Sequence, residues 1–320
     1  MTSNSIESFL PGAPISGFDT GLLVRQKADL HLATREGTGR CSLWWTTAPD
    51  FGNEKVGIVG HFQADFPQTG VAILGEAVAR LRSEGCTLAI GPMDGNTWRR
   101  YRVLTERGNE PTFFLEPDNP DWWAQAFEGS GFLPLSTYSS SLVTDLSRSD
   151  LRAARAFERL SRDGVVIRSL NVGDFEGDLR RIYRVSVASF TENYLYTEVS
   201  EEDFLAQYLP YREKIRPELV LLAEQAGQPV GYLFTLPDYA EAQRGKAIRT
   251  VIGKTLAVLP GRRYGGLGVV LVGMLHARAR SLGYDRLIHA LQHETNQVRN
   301  ISGFFGEVMR RYTLYSRRLA

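Results

Sequence analysis

Two stretches of this chain carry the same order of apolar and polar positions. Between Lys55 and Asp94 an apolar run, Val56 to His61, predicts a strand. Gln63 to Gly70 then reads as a loop and Val71 to Ser83 as a helix, and a second strand ends in Ile90-Gly91-Pro92. Between Lys254 and Gln292 the order returns, as strand Thr255 to Leu259, loop Pro260 to Gly266, helix Leu267 to Ser281 and strand Arg286 to Leu291. Such recurrence is the mark of one structural unit used twice. The helices end in comparable words, Arg80-Leu-Arg-Ser-Glu-Gly85 and Arg278-Ala-Arg-Ser-Leu-Gly283, whose glycines suit a left-handed residue just past a helix end. Each half closes on a hydroxyl-rich alternating strand, Leu135 to Thr144 and Arg311 to Leu319.

The boundary falls between Asp145 and Asp163, which gives units 1–148 and 149–320. A Ser-Arg-Ser-Asp start caps a charged helix, Asp150 to Arg162. Beyond it come a strand (Val165 to Leu170) and a helix (Gly177 to Thr191) with Leu179, Ile182, Tyr183, Val187 and Phe190 at helical spacing. Ser200 caps a further helix, Glu201 to Tyr208. Leu219 to Glu224 and Val230 to Leu236 flank a compact turn and predict a hairpin. Pro111 to Trp123 reads as a long ordered loop, with Phe113, Trp122 and Trp123 available for core or interdomain packing. The expected class is α/β (α+β).

Composition narrows the function without naming it. The chain of 320 residues is 43% hydrophobic and 23% charged, ordinary for a soluble protein. Lys plus Arg total 37 against 36 Asp plus Glu, a formal charge of +1, so no bulk affinity for nucleic acid or an anionic membrane is expected. The arginines near the end (Arg310, Arg311, Arg317, Arg318) read as a solvated face. Two cysteines, Cys41 and Cys86, suit core packing in a reducing cytoplasm. No signal peptide or membrane span is legible, and no cluster has metal-ligand spacing. The expectation is a cytoplasmic protein without a metal, monomeric or homodimeric.

The sharpest chemistry lies in Thr255-Leu-Ala-Val-Leu-Pro-Gly-Arg-Arg-Tyr-Gly-Gly-Leu-Gly268. An apolar strand runs into a loop rich in glycine and arginine that opens directly into a helix. Glycines let backbone N–H groups converge, and the helix start adds partial positive charge. Arg263 can bring a full charge to a phosphate oxygen, with Arg262 as an auxiliary. The glycines at 261, 265, 266 and 268 do not fit the Gly-x-Gly-x-x-Gly spacing of a dinucleotide site.

Arg263-x-x-Gly266-x-Gly268 resembles the Gln/Arg-x-x-Gly-x-Gly/Ala pyrophosphate loop of the GNAT superfamily of acyl-CoA-dependent N-acyltransferases. The two-copy layout, Gly91-Pro92-Met93 and Leu236-Pro237-Asp238 extend that resemblance to long, tandem bacterial members. It implies two GNAT-like domains, each a mixed, mostly antiparallel sheet with splayed strands flanked by helices. It also implies acetyl-CoA or another acyl-CoA as co-substrate, held by Leu256 and Val258 on the splayed strand. The loop Arg262, Arg263, Tyr264, Gly265, Gly266, Leu267, Gly268 and, past the next strand, Asn296 complete that set. The acceptor it implies is the primary amine of a small or amino-acid-like molecule, acylated directly in a ternary complex. The first copy departs from the pattern. Asp65-Phe-Pro-Gln-Thr-Gly-Val-Ala72 has no arginine and one glycine, so residues 1–148 are expected not to bind acyl-CoA.

Catalytic residues are harder to read. The tyrosine that the superfamily often places on the helix after Asn296 is missing, since Gly303, Phe304 and Phe305 occupy that stretch. Tyr312 and Tyr315 are possible substitutes. His289 and His293 could take a proton near neutrality, and Asp238 could hold a cationic amine. Glu192 is a comparable guess. A non-catalytic acyl-CoA sensor or interaction module is the alternative reading. A transferase of aminoacyl groups from tRNA is disfavoured by the charge and the intact loop.

Overall fold

The computed structural model describes residues 5–13, 18–295 and 298–319. The first half runs β1 (Ile6–Phe9), α1 (Thr20–Arg25), β2 (Leu30–Thr34), β3 (Gly39–Trp44), β4 (Val56–Ala64), α2 (Pro67–Ser83), β5 (Leu88–Gly91), β6 (Val103–Glu106), α3 (Trp122–Gly129) and β7 (Leu133–Val143). The second runs α4 (Leu151–Arg162), β8 (Val165–Ser169), α5 (Phe175–Phe190), α6 (Glu201–Tyr208), β9 (Leu221–Gln225), β10 (Gln228–Pro237), α7 (Tyr239–Gln243), β11 (Thr250–Val258), α8 (Leu267–Ser281), β12 (Arg286–His293), α9 (Val298–Phe305) and β13 (Glu307–Arg318).

Local chemistry explains most boundaries. Asp150 caps α4, its carboxylate accepting from Arg152 N at 2.8 Å, and Ser200 Oγ accepts from Asp203 N at 3.1 Å to start α6. Gly85 and Gly283 take left-handed φ values of 77° and 88° just past α2 and α8. The repeated unit is present in both halves. β4 and β5 are parallel across α2, and β11 and β12 are parallel across α8.

The described strands form one 13-stranded sheet, ordered β1-β2-β3-β4-β5-β13-β7-β12-β11-β10-β9-β8, with β6 also pairing β13. All its pairings except the two parallel ones are antiparallel. The closing strands are exchanged. β13, the end of the second half, pairs β5 of the first, whereas β7, the end of the first half, pairs β12 of the second. Each half therefore completes its sheet with the other's last strand. The apolar clusters follow the same logic. One packs α2 and α3 against β3 and β4, another packs α8 against β10, β11 and β12, and Tyr138, Tyr312 and Leu314 join a third that bridges the halves.

The loop between β6 and α3 reaches across the join. Phe113 is buried against Ile252, Ile288 and Ala290 of β11 and β12, and Phe114 N donates to Asp238 at 2.7 Å. Glu116 is fully enclosed with Arg310 of β13, Arg310 Nη1 donating to it at 3.1 Å. Trp122 and Trp123 instead pack within the first half.

Candidate active site

The strands β11 and β12 pair in parallel only from Thr250–Arg286 to Gly253–His289 and then separate. Beyond that fork each is irregular. In β11, Gly253 faces Thr235 and Thr255 faces Phe234, so Lys254 is the extra residue of a bulge. In β12 the register with β7 shifts between His289 and Gln292, and Leu291 takes a φ of 59°. The fork opens into a cavity of about 1810 Å³. Both halves wall it: Trp98, Arg100, Arg102, Leu115 and Tyr138 from the first, Tyr194, Tyr208, Phe234, Lys254, Leu256 and His293 from the second.

At the outer end of β11 lies the glycine-arginine loop. The strand-to-helix connection runs over residues 259–266 in the second half, but over residues 65 and 66 alone in the first. Gly261 and Gly266 have φ values of 127° and 82°, which an L-residue resists. Arg159 of α4 collects two loop carbonyls, Arg263 O at 2.9 Å and Gly265 O at 2.5 Å. Gly266 precedes α8 without a side-chain cap, so the first amides of that helix have no partner from a capping side chain. Arg262 and Arg263 are exposed and, among the described residues, form no ion pair; Arg263 lies 4.5 Å over the Tyr264 ring. Tyr264 and Leu267 are core residues, with the Tyr264 hydroxyl on Gln225 at 3.1 Å, so only their backbone can meet a ligand. Gly268 sits beside Leu256, which with Val258 lies partly buried against the α8 core. The cavity lining reaches Leu256 but not residues 261–268. Asn296 lies outside the described residues.

The three expected catalytic side chains are held elsewhere or enclosed. Asp238 is a structural cap rather than an amine site: it is buried, accepts from Ala240 N at 3.1 Å and from Phe114 N, and is not in the cavity wall. Burial raises its pKa, the hydrogen bonds opposing. Tyr312 is likewise not poised as an acid. Its hydroxyl is tied to Glu116 and, at 3.1 Å, to Ser140 in the interior, and burial drives its pKa upward. His289 touches the cavity wall, but its ring is clasped by His276 Nε2 at 3.2 Å and Ser302 Oγ at 2.8 Å. Burial, with a smaller contribution from His276, takes it down to about 3, so it is neutral at pH 7. His293 bonds Ser136 at 2.6 Å and is also depressed by burial.

Lys254 and Arg102 went unread in the sequence, and the structure brings them to the fork. Burial, reinforced by the charge of Arg102, pulls Lys254 down to about 8. A lysine inside Val251-Ile-Gly-Lys-Thr-Leu-Ala-Val258 was the available signal, since an apolar strand rarely encloses an ammonium without a use for it.

Taken over its whole length, the chain has the fold of the GCN5-related N-acetyltransferases. It superposes over 98% of its length on a glucosamine N-acetyltransferase region of a fungal multi-domain GH3 β-N-acetylglucosaminidase, with TM-score 0.56 and 13% identity, matching 38% of that chain. A GCN5-related N-acetyltransferase from Sphaerobacter thermophilus matches with TM-score 0.52 and 12% identity, over 95% of this chain and 83% of that one. In sequence, the chain is 23% identical over 292 residues to Protein YghO of Escherichia coli K12, covering 81% of this chain and 74% of that protein. It is 24% identical over 228 residues to a bacterial ceramide synthase of Caulobacter vibrioides, 68% of this chain but only 58% of that enzyme. No family model matches the chain. Among the described residues no helix is long and apolar enough to cross a membrane, and no group of His, Cys, Asp and Glu could hold a metal ion.

Proposed function

We propose that this protein is an acyl-CoA-dependent N-acyltransferase with one cofactor loop, in the second half. The observation that carries the reading is the uncapped start of α8 behind a long glycine-arginine loop, placed at the open side of a forked parallel strand pair. Arg159 draws the loop carbonyls toward α4, which leaves the amide side and Arg263 for a pyrophosphate. The pantetheine arm would then follow Leu256 and Val258 inward and bring the thioester to the fork. An amine entering the cavity from the opposite side would meet it there. The short connection at residues 65 and 66 supports a first half that shapes the acceptor side and does not bind acyl-CoA.

Amide formation needs the acceptor nitrogen neutral and positioned. Water can remove the proton once the amine is positioned. Lys254, pulled down to about 8 by burial and the charge of Arg102, stands on the cavity wall where it can contact the acceptor. The likeness to a bacterial ceramide synthase supports an amide product, and a cavity of this size, lined by aromatic rings, supports a bulky acyl chain or acceptor over a minimal one.

Calorimetric titration of acetyl-CoA and of a long-chain acyl-CoA tests this directly. Wild type is expected to bind one molecule per chain, and Arg263→Ala to bind about 10- to 100-fold more weakly, the worth of one charge-assisted phosphate contact. Absence of binding by wild type would sink the assignment. Binding without thiol release across an amine panel would favour a sensor over an enzyme.

A further inference from the structure

We infer that the acceptor bound in the central cavity carries an anionic group, a carboxylate or phosphate, that docks between Arg102 and Lys254. This rests on the acyltransferase reading for the identity of the ligand as acceptor, but the anion site itself stands on its own geometry.

The two cations flank the fork. Lys254 projects from the bulge of β11, where the parallel pairing with β12 has just ended. Arg102 comes from the first half and is fastened to the irregular turn of β12, donating from Nη1 to Leu291 O at 3.1 Å. Its guanidinium carbon lies 3.9 Å from the Tyr101 ring centre and 4.1 Å from that of Tyr138, so it is clamped between two faces and cannot swing to another partner. Arg102 is 7% exposed, and its Nε is buried with no hydrogen-bond partner. Among the described residues neither Arg102 nor Lys254 has a carboxylate in ion-pairing range. The acids of the wall are engaged elsewhere: Glu116 with Arg310, Asp118 with Arg107, Glu294 with Arg311. Glu192, the remaining one, is exposed on the segment after α5.

A buried guanidinium beside a partly buried ammonium, with no carboxylate partner among the described residues, is costly in a folded protein. A ligand anion would relieve that cost and accept from the unused Arg102 donors and the Lys254 ammonium together. With the anion fixed there, an amine a few bonds away is held at the fork, beside the place where the thioester arrives. Recognition of the acceptor is thereby shared between the halves, since Arg102 belongs to one and Lys254 to the other.

Matched pairs of probes test the site without turnover. 3-Phenylpropionate is titrated by calorimetry against its neutral amide, and phenyl phosphate against phenol, into wild type, Lys254→Met and Arg102→Met. One of the two anions is expected to bind at least about tenfold more tightly than its neutral partner, and which one does so identifies the group as carboxylate or phosphate. That advantage should fall away in both variants. Arg102→Met empties the tyrosine clamp and could unfold the chain, so Lys254→Met decides the matter by itself. No anion advantage in wild type, neither anion binding, or an advantage undiminished in Lys254→Met would overturn the inference. Acetyl-CoA titrated into the same wild-type sample separates the two readings. Bound acetyl-CoA with no anion advantage removes the anion site alone, and an anion advantage without acetyl-CoA binding removes the acyltransferase alone.

Discussion

Buried charge decides what single residues do in this molecule. Glu116 and Arg310 are both fully enclosed, and Glu116 also accepts from Phe113 N at 3.0 Å. Truncating one partner leaves the other charge without compensation, so Glu116→Ala should lower unfolding stability by about 3–5 kcal/mol. A urea midpoint within error of wild type would refute that. The imidazoles His276 and His289 are held down to about 4 and about 3 by burial, against 6.5 when unfolded. The sign follows: above pH 6.5 both states are neutral, and below it the unfolded chain alone takes up protons. Stability is therefore full above pH 6.5 and lost as pH falls toward 4, by up to about 1.4 kcal/mol per pH unit for each such histidine. His31 and His61, each taken to about 4, act in the same direction. Urea midpoints at pH 7, 6 and 5 should fall in step, and less steeply in His276→Leu. At this scale sequence reading did least well. Tyr312 and His289, expected to move protons, and Asp238, expected to hold a cationic amine, carry suitable functional groups, but competence for either task depends on exposure and partners, which neighbours from distant segments supply.

Elements were more legible than side chains. The α6 range and the caps of α4 and α6 stand where the sequence placed them, because Ser200 and Asp150 act on amides two or three residues away. The helix expected at Gly177 begins at Phe175, and α2 begins at Pro67, which consumes the loop expected over Gln63 to Gly70. Proline at a first helical position and a short connection account for that shift. The cofactor loop depends on an element that sequence gave no reason to place there. At Gly266 a Cβ would meet Ala156 of α4 at 2.7 Å, and φ is 82°. Gly266→Ala combines left-handed strain with that clash and should cost about 2 kcal/mol. Adding Ala156→Gly should return only the part due to the clash. If melting temperatures for Gly266→Ala and wild type coincide, α4 does not press on the loop.

Across the whole molecule, the exchange of β7 and β13 makes the halves interdependent. A chain cut after residue 148 keeps β7 but not its partners β12 and β13, and β5 is left as an open edge. Either half produced alone is expected to lack a cooperative melt. The two mixed should recover one, as a non-covalent pair at one-to-one stoichiometry. A cooperative transition from residues 149–320 alone would show that β13 can fold back onto its own half.

Local sequence by itself determined the repeated strand-loop-helix-strand unit, the caps, and the loop Arg262 to Gly268, because spacing, glycine freedom and helix-end chemistry act over a few residues. Which half keeps which closing strand, and the placing of Arg102 and Lys254 on the wall of one cavity, were decided only by tertiary structure. Strand exchange is a choice between pairings of similar hydrogen-bond content. It is settled by long-range packing such as Phe113 on β11 and β12, and no local pattern encodes it.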